Sequence, residues 1–363
     1  MEALQQALFL MGSIVLASAA TFFLQALHES PVSPEPLLLP YSSFTSNNIL
    51  QRVARLGEGI LLGPEDISLD KDGTLYTATR DGWIKRMHRN GSWEEWKSTG
   101  CSALLGVAVS MAGGVLVCDA EKGLLRVSDE GIAVLTSQVD GSQSQIRFAD
   151  EAVEASDGSV YFSDASNKFG FHDWYLDVLE ARPHGRLLKY DPWKRMTSVV
   201  IDGLGFANGV ALSAGEDFVV VCETWKFRCL RHWLRGEHKG NTEVFIDNLP
   251  GAPDNINLAP DGSFWIALLQ LSHRRLRMLH RWKTLKRVIA TSPNLVKLVQ
   301  ATNSSAMVVN VPADGGRIAR MLDDSEGKVM SCVTSAVEFE GHLYLGSLGT
   351  DFIGRLPLEG LAN

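Results

Sequence analysis

Four stretches of this 363-residue chain set oxygen-bearing side chains at the start of similar apolar alternations. Glu65 precedes Asp66-Ile67-Ser68-Leu69, and Asp150-Glu151 precedes Ala152-Val153. Asn208 precedes Gly209-Val210-Ala211-Leu212, and Asp254-Asn255 precedes Ile256-Asn257-Leu258. Carboxylates and amide carbonyls are hard ligands. A gathered set of them suits Ca²⁺, which takes roughly 6–8 oxygens in loose geometry. No His or Cys joins the set, which argues against zinc. Without a cation, several converging carboxylates would repel one another and raise their pKa values. A lone Asp or Asn at such a place more often caps its own loop by accepting backbone N–H bonds. Recurrence in four units favours a shared cation. The corresponding positions of two further units, Leu105-Gly106 and Thr334-Ser335, are poor ligands.

These residues can meet only if the chain returns them to one axis, and an internal repeat does so. Each copy has a polar loop, an alternating strand, a turn and a second alternating strand. Copies begin near residues 65, 106, 150, 208, 254 and 334, spaced by 41, 44, 58, 46 and 80. Asp72-Gly73, Asp157-Gly158 and Asp261-Gly262 sit between alternating runs, a strong hairpin signal. Third strands follow at Trp83–Met87, Gly123–Val127 and Arg186–Tyr190. The basic period is that of a propeller blade. The expected fold is therefore all-β, a six-bladed β-propeller over residues 58–363 with short helical insertions. In such a ring the first strand of each blade lines the central channel, so the polar repeat starts converge at one mouth.

Two insertions lengthen the third and fifth units. Residues 169–179 (FGFHDWYLDVL) are aromatic-rich. Residues 273–287 carry Arg274, Arg275, Arg277, Arg281, Lys283, Lys286 and Arg287 among apolar residues and are predicted helical. That segment reads as a solvated cap over one face, or as a patch for a membrane surface or anionic ligand. A catalytic cation would leave an open position toward a pocket, for which Phe169, Trp174 and Trp225 are the candidate substrate-binding walls.

Lys+Arg 34 against Asp+Glu 42 gives a net charge of −8, which leaves no global electrostatic case for nucleic acid. Ala7 to Leu27 is uncharged and apolar. Residues 1–28 thus read as a signal peptide or signal-anchor, since about 20 apolar residues span a bilayer. Ala17-Ser18-Ala19 offers a cleavage site, whereas Thr21-Phe22-Phe23-Leu24 continues the apolar run past it. Pro31, Pro34, Pro36 and Pro40 make residues 29–57 an extended stalk with a lead-in strand. Two sequons, at Asn90 and Asn303, fit a lumenal propeller in the secretory pathway, in the reticulum membrane or a vacuole. An uncleaved N-terminal segment would hold the protein to the membrane. Five cysteines are too few for a disulfide scaffold. One disulfide is compatible with an oxidising compartment, with Cys101 and Cys118 the favoured pair, and five free thiols are the alternative.

Longer motifs carry a resemblance. Asp157-Gly158-Ser159-Val160-Tyr161-Phe162-Ser163-Asp164 and Gly185-Arg186-Leu187-Leu188-Lys189-Tyr190-Asp191-Pro192 resemble the strictosidine synthase family. So do Gly205-Phe206-Ala207-Asn208-Gly209-Val210-Ala211-Leu212-Ser213 and Pro250-Gly251-Ala252-Pro253-Asp254-Asn255-Ile256. The similarity runs from about residue 58 to 357, and is strongest toward the plant strictosidine synthase-like branch and the animal adipocyte plasma membrane-associated proteins. The family fold is a six-bladed propeller. Its wider relatives, paraoxonases and gluconolactonases among them, are metal-dependent lactone and ester hydrolases. The resemblance implies Glu65, Asn208 and Asp254 as metal ligands, with Asp150 where relatives carry an Asn. Leu105 stands where paraoxonase-type enzymes carry a His, and Thr334 where strictosidine synthase needs a catalytic Glu. Thr cannot act as a base near neutral pH, so the amine–aldehyde condensation of strictosidine synthase is not expected. Strand alternation and a turn place Glu338 and Glu340 elsewhere.

Two functions follow. One is a Ca²⁺-dependent hydrolase of lactones or esters, with Asp150 or Glu151 orienting a water and a small molecule as substrate. The other is a non-catalytic lumenal propeller whose cation is structural and whose mouth binds a ligand or partner.

Overall fold

A computed structural model describes residues 2–33, 44–142, 144–270, 278–292, 294–295 and 305–361. Six four-stranded antiparallel sheets form the blades of a propeller. Their inner strands are Asp66–Leu69, Leu104–Val109, Ala149–Glu154, Ala207–Leu212, Ala252–Leu258 and Val333–Phe339. The expected all-β ring is thus present, and among the described residues the α-helices lie in an N-terminal segment and the two insertions.

The hairpins form where the turn chemistry directs. At Asp157-Gly158-Ser159 and Asp261-Gly262-Ser263, the Asp side chain accepts the Ser backbone N–H at 2.8 and 2.9 Å. Gly158 and Gly262 supply the positive φ, +82° and +87°, that a side chain would strain. Between blades lie six apolar clusters, one for each junction. Leu116 and Cys118 of blade two meet Phe162 and Leu188 of blade three, and Val220 of blade four meets Ile256 and Phe264 of blade five. Trp265 and Val308 of blade five meet Leu343 and Leu345 of blade six. Each blade thus buries both faces against its neighbours, as successive residues of a strand alternate sides.

The lead-in strand expected before residue 58 is Ala54–Leu56. It pairs antiparallel with Ile353–Pro357 (Ala54↔Arg355, Leu56↔Ile353) and becomes the outermost strand of blade six. The ring is therefore closed by strands from opposite ends of the chain.

The inner strands of blades two to six share an irregularity. Their pairing slips between Leu104 and Val107, Ala149 and Ala152, Ala207 and Val210, Pro253 and Ile256, and Val333 and Ser335. Such bulges re-aim side chains, and here they carry Asp150-Glu151, Asn208 and Asp254-Asn255. At the bulges the blades approach closely. A Cβ on Gly106 would lie 2.6 Å from the Asp150 carbonyl oxygen, and one on Gly209 2.5 Å from both the Asp254 carbonyl oxygen and the Ile256 nitrogen.

The favoured Cys101–Cys118 disulfide is not formed. Both thiols are free, and the disulfide joins Cys222 to Cys229. Those two face each other across the second and third strands of blade four. Cys101 lies in the loop ahead of blade two, within an apolar cluster at the channel mouth, and its thiol donates to Glu121 Oε2 at 3.0 Å. Cys118 instead points into the junction between blades two and three. Sequence proximity of the strands misled because the two side chains serve different layers.

Asn90 is exposed in the hairpin turn of blade one, with Ser92 bonded to its side-chain oxygen at 2.7 Å. Asn303 lies outside the described residues.

Because the obstructing atoms are backbone, Gly209→Ala should separate blades four and five and destabilise the fold by about 1–3 kcal/mol, as overpacking does. Thermal unfolding of the variant checks this, and an unchanged midpoint would show that the close approach is not required.

Candidate functional site

At one end of the channel the bulged inner strands bring together Glu65, Asp66, Asp150, Glu151, Asn208, Asp254 and Asn255, all buried. Asn255 Nδ2 donates to Glu65 Oε1 at 3.2 Å, linking blades one and five. Asn208 hydrogen bonds to Asp254. Asp66 Oδ2 accepts the Val107 N–H at 2.7 Å, which fixes blade two against blade one. Glu151 Oε1 accepts the neighbouring Ala152 N–H at 2.9 Å. Thr334 donates its hydroxyl to the Glu65 carbonyl oxygen and so positions backbone.

What these bonds leave over is informative. Glu65 Oε2, Asp66 Oδ1, Glu151 Oε2, Asn208 Oδ1 and Asn255 Oδ1 are fully buried with no hydrogen-bond partner. The two amide oxygens accept in any state and the carboxyl oxygens accept when ionised, so adding another acceptor cannot satisfy them. Burial raises the Glu65 carboxyl well above its usual range, and Asp254, Asp66 and Asp150 raise it further. Asp150 is raised well above by burial and then by Asp254, and Glu151 by burial and then by Asp66. Asp254 is pushed up to about 7 by burial, against the pull of its bond to Asn208 and of Arg80.

Arg80 is the cation the sequence reading overlooked. Its guanidinium acts on Glu65, Asp150 and Asp254, donates to the Leu104 carbonyl oxygen at 3.2 Å and stacks 4.9 Å beneath the Phe171 ring. It follows the second strand of blade one, a place that carries no matching residue in the other repeats, so periodicity could not find it. Asp66 was overlooked too, although its signal was present. It follows Glu65 as Glu151 follows Asp150 and Asn255 follows Asp254.

Among the described residues, no three His, Cys, Asp or Glu side chains are arranged to hold a metal ion by themselves. A cation here needs the amide oxygens of Asn208 and Asn255 beside the carboxylates. That donor set fits Ca²⁺, and the orphaned acceptors are the observation that supports the fit.

The three aromatic candidates do not share one wall. Trp225 is buried at the mouth, its ring 4.7 Å from Phe206 and its Nε1 donating to Asp177 Oδ1 at 2.8 Å. Asp177 lies on helix α2 (Trp174–Glu180), which with Phe171 covers the mouth. Phe169 is buried on the far side of that cover, with Leu176, Leu179, Ile289 and Ala290. Trp174, at the start of α2, is 40% exposed. The helix has two apolar faces, and composition could not assign each aromatic residue to its face. Glu338 accepts a bond from Trp265 Nε1 at 2.8 Å and Glu340 is paired with Arg89 on the surface, so neither replaces Thr334.

Comparison with known proteins agrees with this architecture. The strictosidine synthase family matches residues 150–237, and the strictosidine synthase-like N-terminal family matches residues 43–87. Strictosidine synthase-like protein 4 of Arabidopsis thaliana is 38% identical over 91% of this chain and 86% of its own. The adipocyte plasma membrane-associated protein of Bos taurus is 33% identical over 91% and 85%. Among solved structures, a gluconolactonase from Xanthomonas campestris superposes with a TM-score of 0.59, covering 91% of this chain and 99% of that one at 14% identity. The calcium-binding protein regucalcin from Agrobacterium tumefaciens gives 0.54, covering 84% and 93% at 12% identity. The two solved structures share the fold alone, whereas the identity and coverage of the first two relatives show descent: the chain belongs to the strictosidine synthase-like family.

Proposed function

We propose that the protein is a Ca²⁺-dependent hydrolase of small lactones or esters, acting at the channel mouth. The set of buried, unpartnered oxygens contributed by blades one, three, four and five carries this reading. Buried acceptors without partners are costly, and one divalent cation would satisfy several of them together. Glu65, Asn208 and Asp254, with Asp150, would hold it. When bound, the ion would polarise a carbonyl and favour the charge that develops on its oxygen.

The remaining work falls to side chains already in place. Asp150 has no hydrogen bond to its carboxyl among the described residues; burial and Asp254 raise it in the ion-free site, and a bound cation would favour the ionised form that a base needs. Asp150 or Glu151 would orient the attacking water. Ester or lactone cleavage releases a carboxylate, and Arg80 offers the planar guanidinium that reads one. Phe171, Phe206 and Trp225 would exclude bulk water. Structural likeness to a gluconolactonase and to a calcium-binding propeller supports the reading. The exposed sequon at Asn90 and the apolar N-terminal helix support a lumenal propeller in the reticulum membrane or a vacuole.

A second reading has a specific observation behind it. Leu105 and Thr334 leave two mouth positions without a group for proton transfer, as in a propeller whose cation is structural and whose mouth binds a ligand or partner.

Hydrolysis of aryl esters and lactones by the full chain, with Ca²⁺ and after chelation, separates the two. Turnover should require the ion and fall at least about 100-fold in Glu65→Gln, the scale of losing one preorganised oxyanion-stabilising contact. Ion binding without turnover on either substrate class would leave the second reading.

A pH dependence follows as well. An unfolded Asp titrates near about 3.9, and Asp254 is raised to about 7, so the folded state holds the proton more tightly. That stabilisation is fully present below about pH 4 and is lost as pH rises toward about 7. In chelator, the melting midpoint of the parent should therefore fall over this window relative to Asp254→Asn. Added Ca²⁺, held by the ionised carboxylate, should oppose this fall in the parent more than in the variant, and a pH-independent difference in chelator would contradict the raised value.

A further inference from the structure

The N-terminal helix is tied to the cover of the channel mouth. Helix α1 (Glu2–Glu29) is apolar and long enough to cross a membrane over Leu4–Glu29. At about 1.5 Å per residue it exceeds the roughly 30 Å hydrocarbon thickness. The residues that follow do not leave as a free stalk. The Ser33 N–H donates to Glu180 Oε1 at 2.9 Å, and Lys168 Nζ donates to the Pro31 carbonyl oxygen at 3.1 Å. Val32 is buried against α2 and helix α3 (Lys283–Ala290). Arg287 of α3 donates to the Leu27 carbonyl oxygen near the end of α1. His280 bonds to the Val178 carbonyl oxygen of α2 at 3.1 Å. Whatever surface α1 emerges from therefore lies directly beside α2 and α3.

The outward side of this cover is unusual for an acidic protein. Met278, Trp282 and Leu285 are 63%, 61% and 43% exposed, Met278 in the helical turn ahead of α3, Trp282 at the non-helical N-cap of α3 and Leu285 in its first turn. Arg281 and Lys283 are exposed beside them. Residues 262–313 contain no Asp or Glu, yet they hold Arg274, Arg275, Arg277, Arg281, Lys283, Lys286, Arg287 and Lys297. Apolar residues with a Trp, flanked by the exposed Arg281 and Lys283 and held beside a membrane-length helix, match a bilayer interface. Anionic headgroups complement the charge.

We propose that the Met278–Leu285 face lies in the headgroup layer of the same bilayer that α1 crosses, so that the covered channel mouth points toward the membrane. The face is held by α1 on one side, by apolar insertion of Trp282 and Leu285, and by Arg281 and Lys283 against anionic lipid.

Site-specific labelling of the full chain in nanodiscs tests this. A polarity-sensitive fluorophore is placed at Leu285→Cys, in a Cys332→Ser background, and compared with one at Met111→Cys in a turn at the opposite end of blade two. The discs contain phosphatidylcholine, with or without phosphatidylserine, and headgroup nitroxide lipid as quencher. A label at Leu16→Cys verifies that α1 is inserted. Quenching at position 285 should exceed that at 111 severalfold, increase with phosphatidylserine, and decrease severalfold in Arg281→Glu/Lys283→Glu. Equal quenching at 285 and 111 with α1 inserted would overturn the proposal, as would indifference to charge reversal. Disulfide-linked dimers of unlabelled Leu285→Cys would assign the face to a second copy and also overturn it. Should Leu285→Cys misfold, Met278→Cys gives the same readout.

Discussion

Like charge concentrated on one axis is the constraint around which this propeller is arranged. Glu65, Asp66, Asp150, Glu151 and Asp254 are buried together, and Arg80 is the cation that acts on the group. Burial and mutual repulsion both disfavour their ionised forms. Holding them there requires a rigid frame. The junction clusters between blades supply it, and the interlocking bonds from Asn255 to Glu65 and from Val107 to Asp66 tie the frame to the carboxyls. The close approach at Gly106 and Gly209 lets neighbouring inner strands converge without side chains between them. The same convergence produces the orphaned acceptors, so the tension in the site and the donor set proposed to hold a cation have one origin.

The ring, its six units and the positions lining the mouth were legible in the sequence because hairpin turns and alternation are local signals. Glu65, Asp150, Asn208 and Asp254 could be picked out because they recur at one repeat position. The bulges were not legible. A bulge is a mismatch between two strands, and neither strand alone records it. Arg80 was hidden because it has no counterpart in the other units. The disulfide shows the limit from another side. Cys222 and Cys229 flank the short turn at Thr224–Lys226, and only their pairing register places them opposite each other. Cys101 and Cys118 are close in the chain but point into different layers.

Thr334 serves the backbone and not the chemistry of the mouth. It stands on the inner strand of blade six with its hydroxyl committed to the Glu65 backbone. The contact supports the Glu65 loop of blade one and offers no proton transfer. The cover shows a comparable division. Trp225 and Asp177 fasten α2 to the mouth, while Phe169, Leu176 and Leu179 fasten its other side to α3. Residues that compositional reading groups as one aromatic cluster serve as two separate adhesive faces.

The joint between Ala54–Leu56 and Ile353–Pro357 bears on how the protein is made. Blades one to five each use consecutive strands, so each can assemble as it leaves the ribosome. Blade six cannot, because its outer strand is synthesised first and its partner among the last. Until then a three-residue edge waits unpaired, short enough to offer little template to other chains. Ring closure is then one late event between distant segments, the kind of long-range pairing that folds slowly. Until it occurs, the walls of the acidic channel lack their final alignment, so a chain interrupted near its end would carry the mouth's acidic residues without the closed ring that gathers them.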